Sequence, residues 1–222
     1  MGKEVDFVSA LHRRTSRDYV GRVTEHDKAE CATIAKRWGA EYWDGARQYG
    51  YGGYRYDARW RPVAERLVEH YRLAAGQRVL DVGCGKAHLL YELAQLVPGL
   101  EVVGIDISEY GLLHAKQELK GALVRGSAAA LPFEQASFDC VISLATLHNL
   151  PIDLLFAALS EIRRVARSDR NWVMVESYRD EREKANLLYW QLTCEAFFTP
   201  QEWQWIFDRS GYVGDRGFIY FE

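Results

Sequence analysis

No run of apolar residues in this 222-residue chain approaches the roughly 18 that a membrane-crossing helix needs, so no transmembrane segment is expected. A secretory leader is missing too: Phe7, Val8, Ala10 and Leu11 are interrupted by Ser9 and run into His12-Arg13-Arg14. The four cysteines, Cys31, Cys84, Cys140 and Cys194, form no Cys-x-x-Cys pair and read as free thiols of a cytoplasmic protein. That spacing argues against structural zinc, and the strand-end acids lack the companions a catalytic magnesium would need, so no metal is expected. Charge of either sign is not in excess. With a net charge of -3, a general nucleic-acid surface is not expected. Repeats, low-complexity tracts and linkers are absent as well, which leaves one globular unit.

What is present is an ordinary globular composition, 48% hydrophobic and 27% charged, long enough for a sizeable core. The pattern predicts helices over 7–19 and 27–38, and a third from Pro62 to about Tyr71. Between the last two lies Tyr42–Trp60, rich in Gly, Tyr and Arg. From Arg78 short apolar runs alternate with helical stretches: strands over 78–81, 101–105, 122–125, 138–144 and 172–176. Helices are expected from His88, Ser108 (as N-cap) and Pro151, then over 183–195 and 200–210, before a terminal β pair at 212–215 and 218–221. The fold class is therefore α/β, a Rossmann-like doubly wound, mostly parallel seven-stranded sheet with a helical N-terminal cap. Residues 1–60 form the cap and a Tyr/Gly-rich lid, and 61–222 the ligand-binding domain.

Ligands of such sheets bind at the carboxyl ends of the strands. The first strand runs into Asp81-Val-Gly83-Cys84-Gly85, whose glycines let backbone approach a ligand, and the second ends on Asp106, whose two oxygens suit a ribose diol. A dinucleotide fingerprint would need a further glycine where His88 stands, so a nucleoside without pyrophosphate fits better. Asp81 stays open between ligand contact and loop brace.

Val79–Gly85, Val103–Ser108, Leu131–Phe133 with Ser137–Asp139, and Leu147–Asn149 resemble, in order and spacing, successive motifs of class I S-adenosylmethionine-dependent methyltransferases. The resemblance covers about residues 60–222. It implies S-adenosyl-L-methionine as cofactor and S-adenosyl-L-homocysteine as product. It places Gly83, Cys84 and Gly85 under the methionine part and Asp106 on the ribose. Ile107 would lie on the adenine, Ser127 and Ala128 at its edge, and Leu144 near the sulfonium. The chain departs from the pattern at Ala87, where a glycine is usual, and at Ser127, where an acid is often found.

For chemistry, His148 and Glu176 follow the fourth and fifth strands and are the candidate bases, each also readable as a packing or capping group. Tyr178 and Arg179 extend that rim, and Glu195, in Cys194–Pro200, is a candidate for gripping an amine or hydroxyl. Residues 49–60 read as a mobile lid with Tyr54 and Arg59 as contacts, or as an aromatic loop packed on the sheet or into a homodimer. The expected activity is methyl transfer to O or N of a polar small molecule, a sugar or another biosynthetic metabolite. Two rivals stand beside it. One is an RNA or protein methyltransferase, suggested by Arg13-Arg14 and Arg163-Arg164; the other is a non-catalytic cofactor-binding partner.

Overall fold

Adjacent residues such as Val79 and Leu80, Val141 and Ile142, and Val173 and Met174 are all buried, so these strands must be covered on both faces. The computed structural model, which describes residues 2–222, meets that demand with a wholly parallel sheet. Its elements are α1 (Ser9–His12), α2 (Gly21–Thr24), α3 (Lys28–Ala35), α4 (Ala40–Trp43), α5 (Arg61–Tyr71), β1 (Arg78–Val82), α6 (His88–Leu96), β2 (Glu101–Asp106), α7 (Glu109–Leu113), β3 (Leu123–Arg125), β4 (Cys140–Leu144), α8 (Ile152–Val165), β5 (Asn171–Glu176), α9 (Glu181–Trp190), α10 (Pro200–Ser210) and β6 (Asp215–Ile219). The sheet order is β3-β2-β1-β4-β5-β6. Strands β2 and β3 are added to one side of β1 and β4 to β6 to the other, and this switch in strand order opens a crevice at the carboxyl ends of β1 and β4.

One face of the sheet presents Val79, Cys140, Ile142, Trp172 and Met174 to α5 and α6. The other presents Leu80, Val82, Val141, Val173 and Val175 to α8 and α10. The helices are set by local signals. Asp27 caps α3, Ser108 caps α7, and Thr199 with Glu202 forms a reciprocal capping box ahead of Pro200 in α10.

The structure departs from the sequence reading in three places. The sheet has six strands, not seven, because the expected terminal hairpin is a single strand. Arg216 and Gly217, where the hairpin would have to turn, pair in register with Val173 and Met174, so the chain runs straight through. The outer edge of β6 is instead met by Glu4, which bridges Arg216 in parallel. The helical N-terminal cap is a series of single turns around the eight-residue α3, and the helix expected over 7–19 is only α1. The guanidinium of Arg17 takes the carbonyls of His12 and Thr15, which a continuing helix would have used. Finally, α9 stops at Trp190, whose carbonyl accepts from Arg22 Nε, and residues 192–196 turn back until Glu195 and Ala196 donate to the carbonyl of His148. No helix among the described residues is long and apolar enough to cross a membrane.

Trp172 joins the N-terminal segment to the sheet: its ring lies edge-on to Phe7 and its Nε1 donates to the Val5 carbonyl at 3.1 Å. A Cβ on Gly217 would sit 2.8 Å from that indole. Gly217→Ala is expected to overpack this contact, costing about 1–3 kcal/mol and lowering the thermal midpoint by about 2–10 °C. Circular dichroism melting checks it; an unchanged midpoint means the indole shifts freely.

Candidate functional site

The turn after β1 is held from three sides. The N–H groups of Gly83 and Cys84 donate to the Ile105 carbonyl at 2.7 and 3.1 Å. Gly85 donates to Asp106 Oδ2 and Ser108 to Asp106 Oδ1, both at 2.7 Å. Gly83 has φ +85°, and a Cβ there would stand 2.0 Å from Thr146 Oγ1; a Cβ on Gly85 would stand 2.5 Å from the ring of Trp43. Only glycine fits either position. Burial raises the pKa of Asp106, opposed by the amides of Ser108, Gly85 and Ile107. Asp81 is buried with Oδ1 unpartnered; burial and then Asp106 push its pKa up to about 8. His88 opens α6, and its buried ring stacks on Tyr54 with centroids 4.9 Å apart.

The Tyr42–Trp60 segment lies directly over this turn. Trp43 is buried and donates from Nε1 to Ser108 Oγ at 2.8 Å; Tyr51 stacks on Trp43. Beside it, buried Lys86 places Nζ 2.7 Å from both oxygens of Asp44 and 2.9 Å from the Tyr54 carbonyl. Burial raises the pKa of Asp44, but Lys86 and Tyr110 outweigh it and hold the group below its ordinary value. Tyr54 accepts from Trp60 Nε1 at 2.7 Å, while Arg59 is held by both oxygens of Asp57. The aromatic cover leaves about 70 Å³ at the turn, bounded by Trp43, Tyr54, Asp81, Cys84 and Leu144.

Tyr51, Tyr54, Trp60 and Ala145 separate that space from a cavity of about 450 Å³, within the range of small-molecule sites. The cavity opens over the carboxyl ends of β4, β5 and β6, and includes His148, Met174, Glu176, Ile219 and Arg59 in its wall. His148 Nδ1 accepts from the Glu176 amide at 3.2 Å, and its Nε2 stands 3.5 Å from Glu176 Oε2. An imidazole accepting at Nδ1 carries its proton on Nε2, which therefore faces the carboxyl group. Burial pushes the His148 pKa down to about 3. Burial pushes Glu176 up to about 8 against the pull of Arg17 and of Gln191, whose amide donates to Oε1. Oε2 has no hydrogen-bond partner. With its lone pair committed and its affinity for protons low, His148 is a poor base; the free oxygen of Glu176 is the better acceptor.

The remaining expected contacts are dispersed. Ile107, 57% exposed, projects beside Asp106, and Ser127 and Ala128 are half-buried beyond β3; all three stand outside both cavities. Tyr178, Arg179 and Glu195 also stand outside the cavities. Tyr178 turns inward onto Leu187 and Phe221, Arg179 is tied to Glu183 and Glu222, and Glu195 pairs with Lys36. Sequence reasoning missed Trp43, Asp44 and Lys86. Only the position of Lys86 directly after Gly85 hinted at the last. It also missed Arg17, Arg22 and Arg47, which no periodicity marks.

Residues 79–169 match the family model described as a methyltransferase domain. The chain is 30% identical over 164 residues to an uncharacterized methyltransferase of Synechocystis sp., covering 69% of this chain and 74% of that protein. It is 34% identical over 131 residues to a demethylmenaquinone methyltransferase of Geobacillus kaustophilus, covering 56% and 54%. It thus spans about three quarters of the first relative and little more than half of the second. The YcgJ protein of Bacillus subtilis shares the fold, with a TM-score of 0.56 at 23% identity over 66% of each chain.

Removing Asp44 leaves Lys86 charged and buried without its carboxylate. Asp44→Ala is expected to cost about 2–3 kcal/mol, less than for a fully buried pair because Asp44 is partly exposed. Asp44→Ala combined with Lys86→Met should recover most of that loss. Urea unfolding of the four proteins tests the coupling, and additive single effects would contradict it.

Proposed function

Because this chain belongs to the class I S-adenosylmethionine-dependent methyltransferases, we propose that it methylates an O or N atom of a small molecule seated in the 450 Å³ cavity, with Glu176 as the proton acceptor. The observation that carries this reading is Glu176, in the wall of a ligand-sized cavity at the carboxyl edge of the sheet, whose buried Oε2 has no hydrogen-bond partner. Within the class of polar metabolites, the apolar wall of Leu11, Met174, Ile219 and Phe221 favours an acceptor with an apolar body over a bare sugar. Arg164, half of one basic pair, is bound to Glu161 and to the carbonyls of Leu131 and Phe133, so its guanidinium is engaged within the protein.

The residues at the turn suit the methyl donor. Thr146 and Trp43 pack where side chains at Gly83 and Gly85 would lie, and beside them the orphaned Oδ1 of Asp81 is an acceptor for an ammonium group. Gly83, Cys84 and Gly85 would hold the methionine part, Asp106 the ribose, and Ile107 with Ser127, Ala128 and Leu144 the base and its edge. Each oxygen of Asp106 takes one backbone N–H in the structure and keeps a lone pair for a hydroxyl. The 70 Å³ at the turn requires Tyr51 and Tyr54 to swing outward as the donor enters, and Gly50, Gly52 and Gly53 supply the backbone freedom. When bound, S-adenosylmethionine supplies an electrophilic methyl group on a sulfonium. The chain's own work is to orient the acceptor for in-line attack, exclude water beneath the aromatic segment, and take the acceptor's proton at Glu176 Oε2. His148 is a positioning residue, since its Nε2–H faces the carboxyl group it steers.

Asp106→Ala is expected to weaken S-adenosylhomocysteine binding by about 1–3 kcal/mol, read by calorimetry. Full affinity in that variant removes Asp106 from the ribose role. The rate should rise with pH through about 8, because Glu176 accepts a proton only after losing its own. His148, neutral above about 3, adds no second step in that range. Arg17, Gln191, Tyr42, Tyr51 and Cys194 face Glu176, and of these only Arg17 is charged near neutrality. Single-turnover rates between about pH 6.5 and 9.5 test this. Glu176→Gln should flatten the profile and lower the rate about a hundredfold or more. A wild-type profile already flat would rule the carboxylate out.

A further inference from the structure

The mouth of the large cavity holds an arrangement that methyl transfer alone does not explain. Arg17, Arg22 and Arg47 line it together, and their guanidinium carbons stand 5.6, 5.0 and 5.0 Å from the ring centroid of Trp190. They come from three separate stretches of chain, so local sequence does not bring them together. Each is held by backbone carbonyls: Arg17 by His12 and Thr15, Arg22 by Trp190 and Arg47, and Arg47 by Gly50. Among the described residues no carboxylate lies within 4 Å of any of the three. Arg59, the fourth arginine of the wall, is neutralised by Asp57. Arg17 also keeps Nε buried with no partner.

Like charges gathered in partly buried space repel one another, and each loses hydration without a counter-ion. Burial depresses the pKa of both Arg17 and Arg22; at Arg22 the charge of Arg47 adds to it, and at Arg17 Tyr19 and Glu176 oppose it without outweighing it. Glu176, the one acid in the wall, has its pKa pushed up to about 8 by burial and compensates Arg17 only in part near neutral pH. His12, held neutral by burial, brings no further positive charge. The unused N–H donors of three guanidiniums form a fork that suits a planar or tetrahedral oxyanion. The same wall also carries apolar side chains, Leu11, Met174, Ile219 and Phe221, the last with its ring centroid 5.2 Å from the Arg17 guanidinium carbon.

We propose that Arg17, Arg22 and Arg47 form an oxyanion site, so that the molecule methylated here is an organic acid. Its carboxylate or phosphate lies at the arginine mouth and its apolar body against Met174 and Phe221. The assignment of the anion as part of the acceptor rests on the methyl-transfer reading above; the anion site itself does not.

The test is calorimetric titration of the full chain, without methyl donor, using benzoate, phenyl phosphate and the neutral phenol. At least one anion should bind about tenfold or more tightly than phenol, and added salt should weaken it. Whichever anion binds more tightly identifies the headgroup as carboxylate or phosphate. Arg47→Met should cost about tenfold in that affinity, and Arg47→Lys should restore part of it. Should the methionine variant misfold, Arg17→Lys, which keeps charge but loses the fork, carries the same comparison. Phenol matching both anions, or salt-independent binding, overturns the proposal. S-adenosylhomocysteine titrated into the same preparations separates the two readings. If it binds while the anions do not, only the oxyanion site falls. If the anions bind and it does not, the site stands but its role in seating a methyl acceptor is overturned.

Discussion

Two backbone N–H groups, from Gly85 and Ser108, converge on one carboxylate, and the crevice is organised around that pair of bonds. Asp106 thereby ties the turn after β1 to the start of α7 and fixes how far the two strand ends stand apart. Charge-assisted bonds from two amides offset the cost of keeping the carboxylate half-buried. Ser108, with its amide so used, has its hydroxyl left for other work. It donates to the Trp38 carbonyl at 2.6 Å and accepts from Trp43 Nε1 and the Gly111 amide at 2.8 and 2.9 Å. That uses its one donor and both acceptor sites. The aromatic segment is thus docked on the same residue that braces the acid at the sheet's edge.

The parts legible in the sequence are those whose signal is local. Apolar doublets marked the buried strands, Ser108 and Pro200 marked helix starts, and Gly-x-Gly followed by a strand-end Asp marked the turn. The parts that were not legible depend on partners far apart in the chain. Trp43 reaches Ser108 across 65 positions and Lys86 reaches Asp44 across 42. The expected rim failed for a related reason. Ser177 and Tyr178 follow Glu176 but remain buried, so the chain carries Tyr178 into the core and not along the cavity edge. The N-terminal helix failed because arginine side chains, which propensity treats as helix formers, instead cap carbonyls of the chain beside them.

Burial acts in opposite directions on the two groups at the cavity's inner end. It drives the proton off His148 and onto Glu176, so both are uncharged near neutral pH. An uncharged pair costs far less to bury than an ion pair whose desolvation must be repaid by geometry. The 3.5 Å separation of Nε2 and Oε2 fits a neutral contact of this kind better than a tight salt bridge. The carboxyl group thus places no permanent charge at this end of the cavity and becomes a proton acceptor once it ionises.

The two ends of the cavity are also coupled. Arg17 is the charge that pulls the Glu176 pKa down against burial. An anion seated among the arginines screens that charge, so Glu176 holds its proton to higher pH with such an acceptor bound than without it. The ionised carboxylate is then less populated near neutral pH but is a stronger base once it forms. The rise of rate with pH should therefore lie higher for an anionic acceptor than for a neutral one. The electrostatics of the cavity bear on when the proton acceptor is available as well as on which molecule is held.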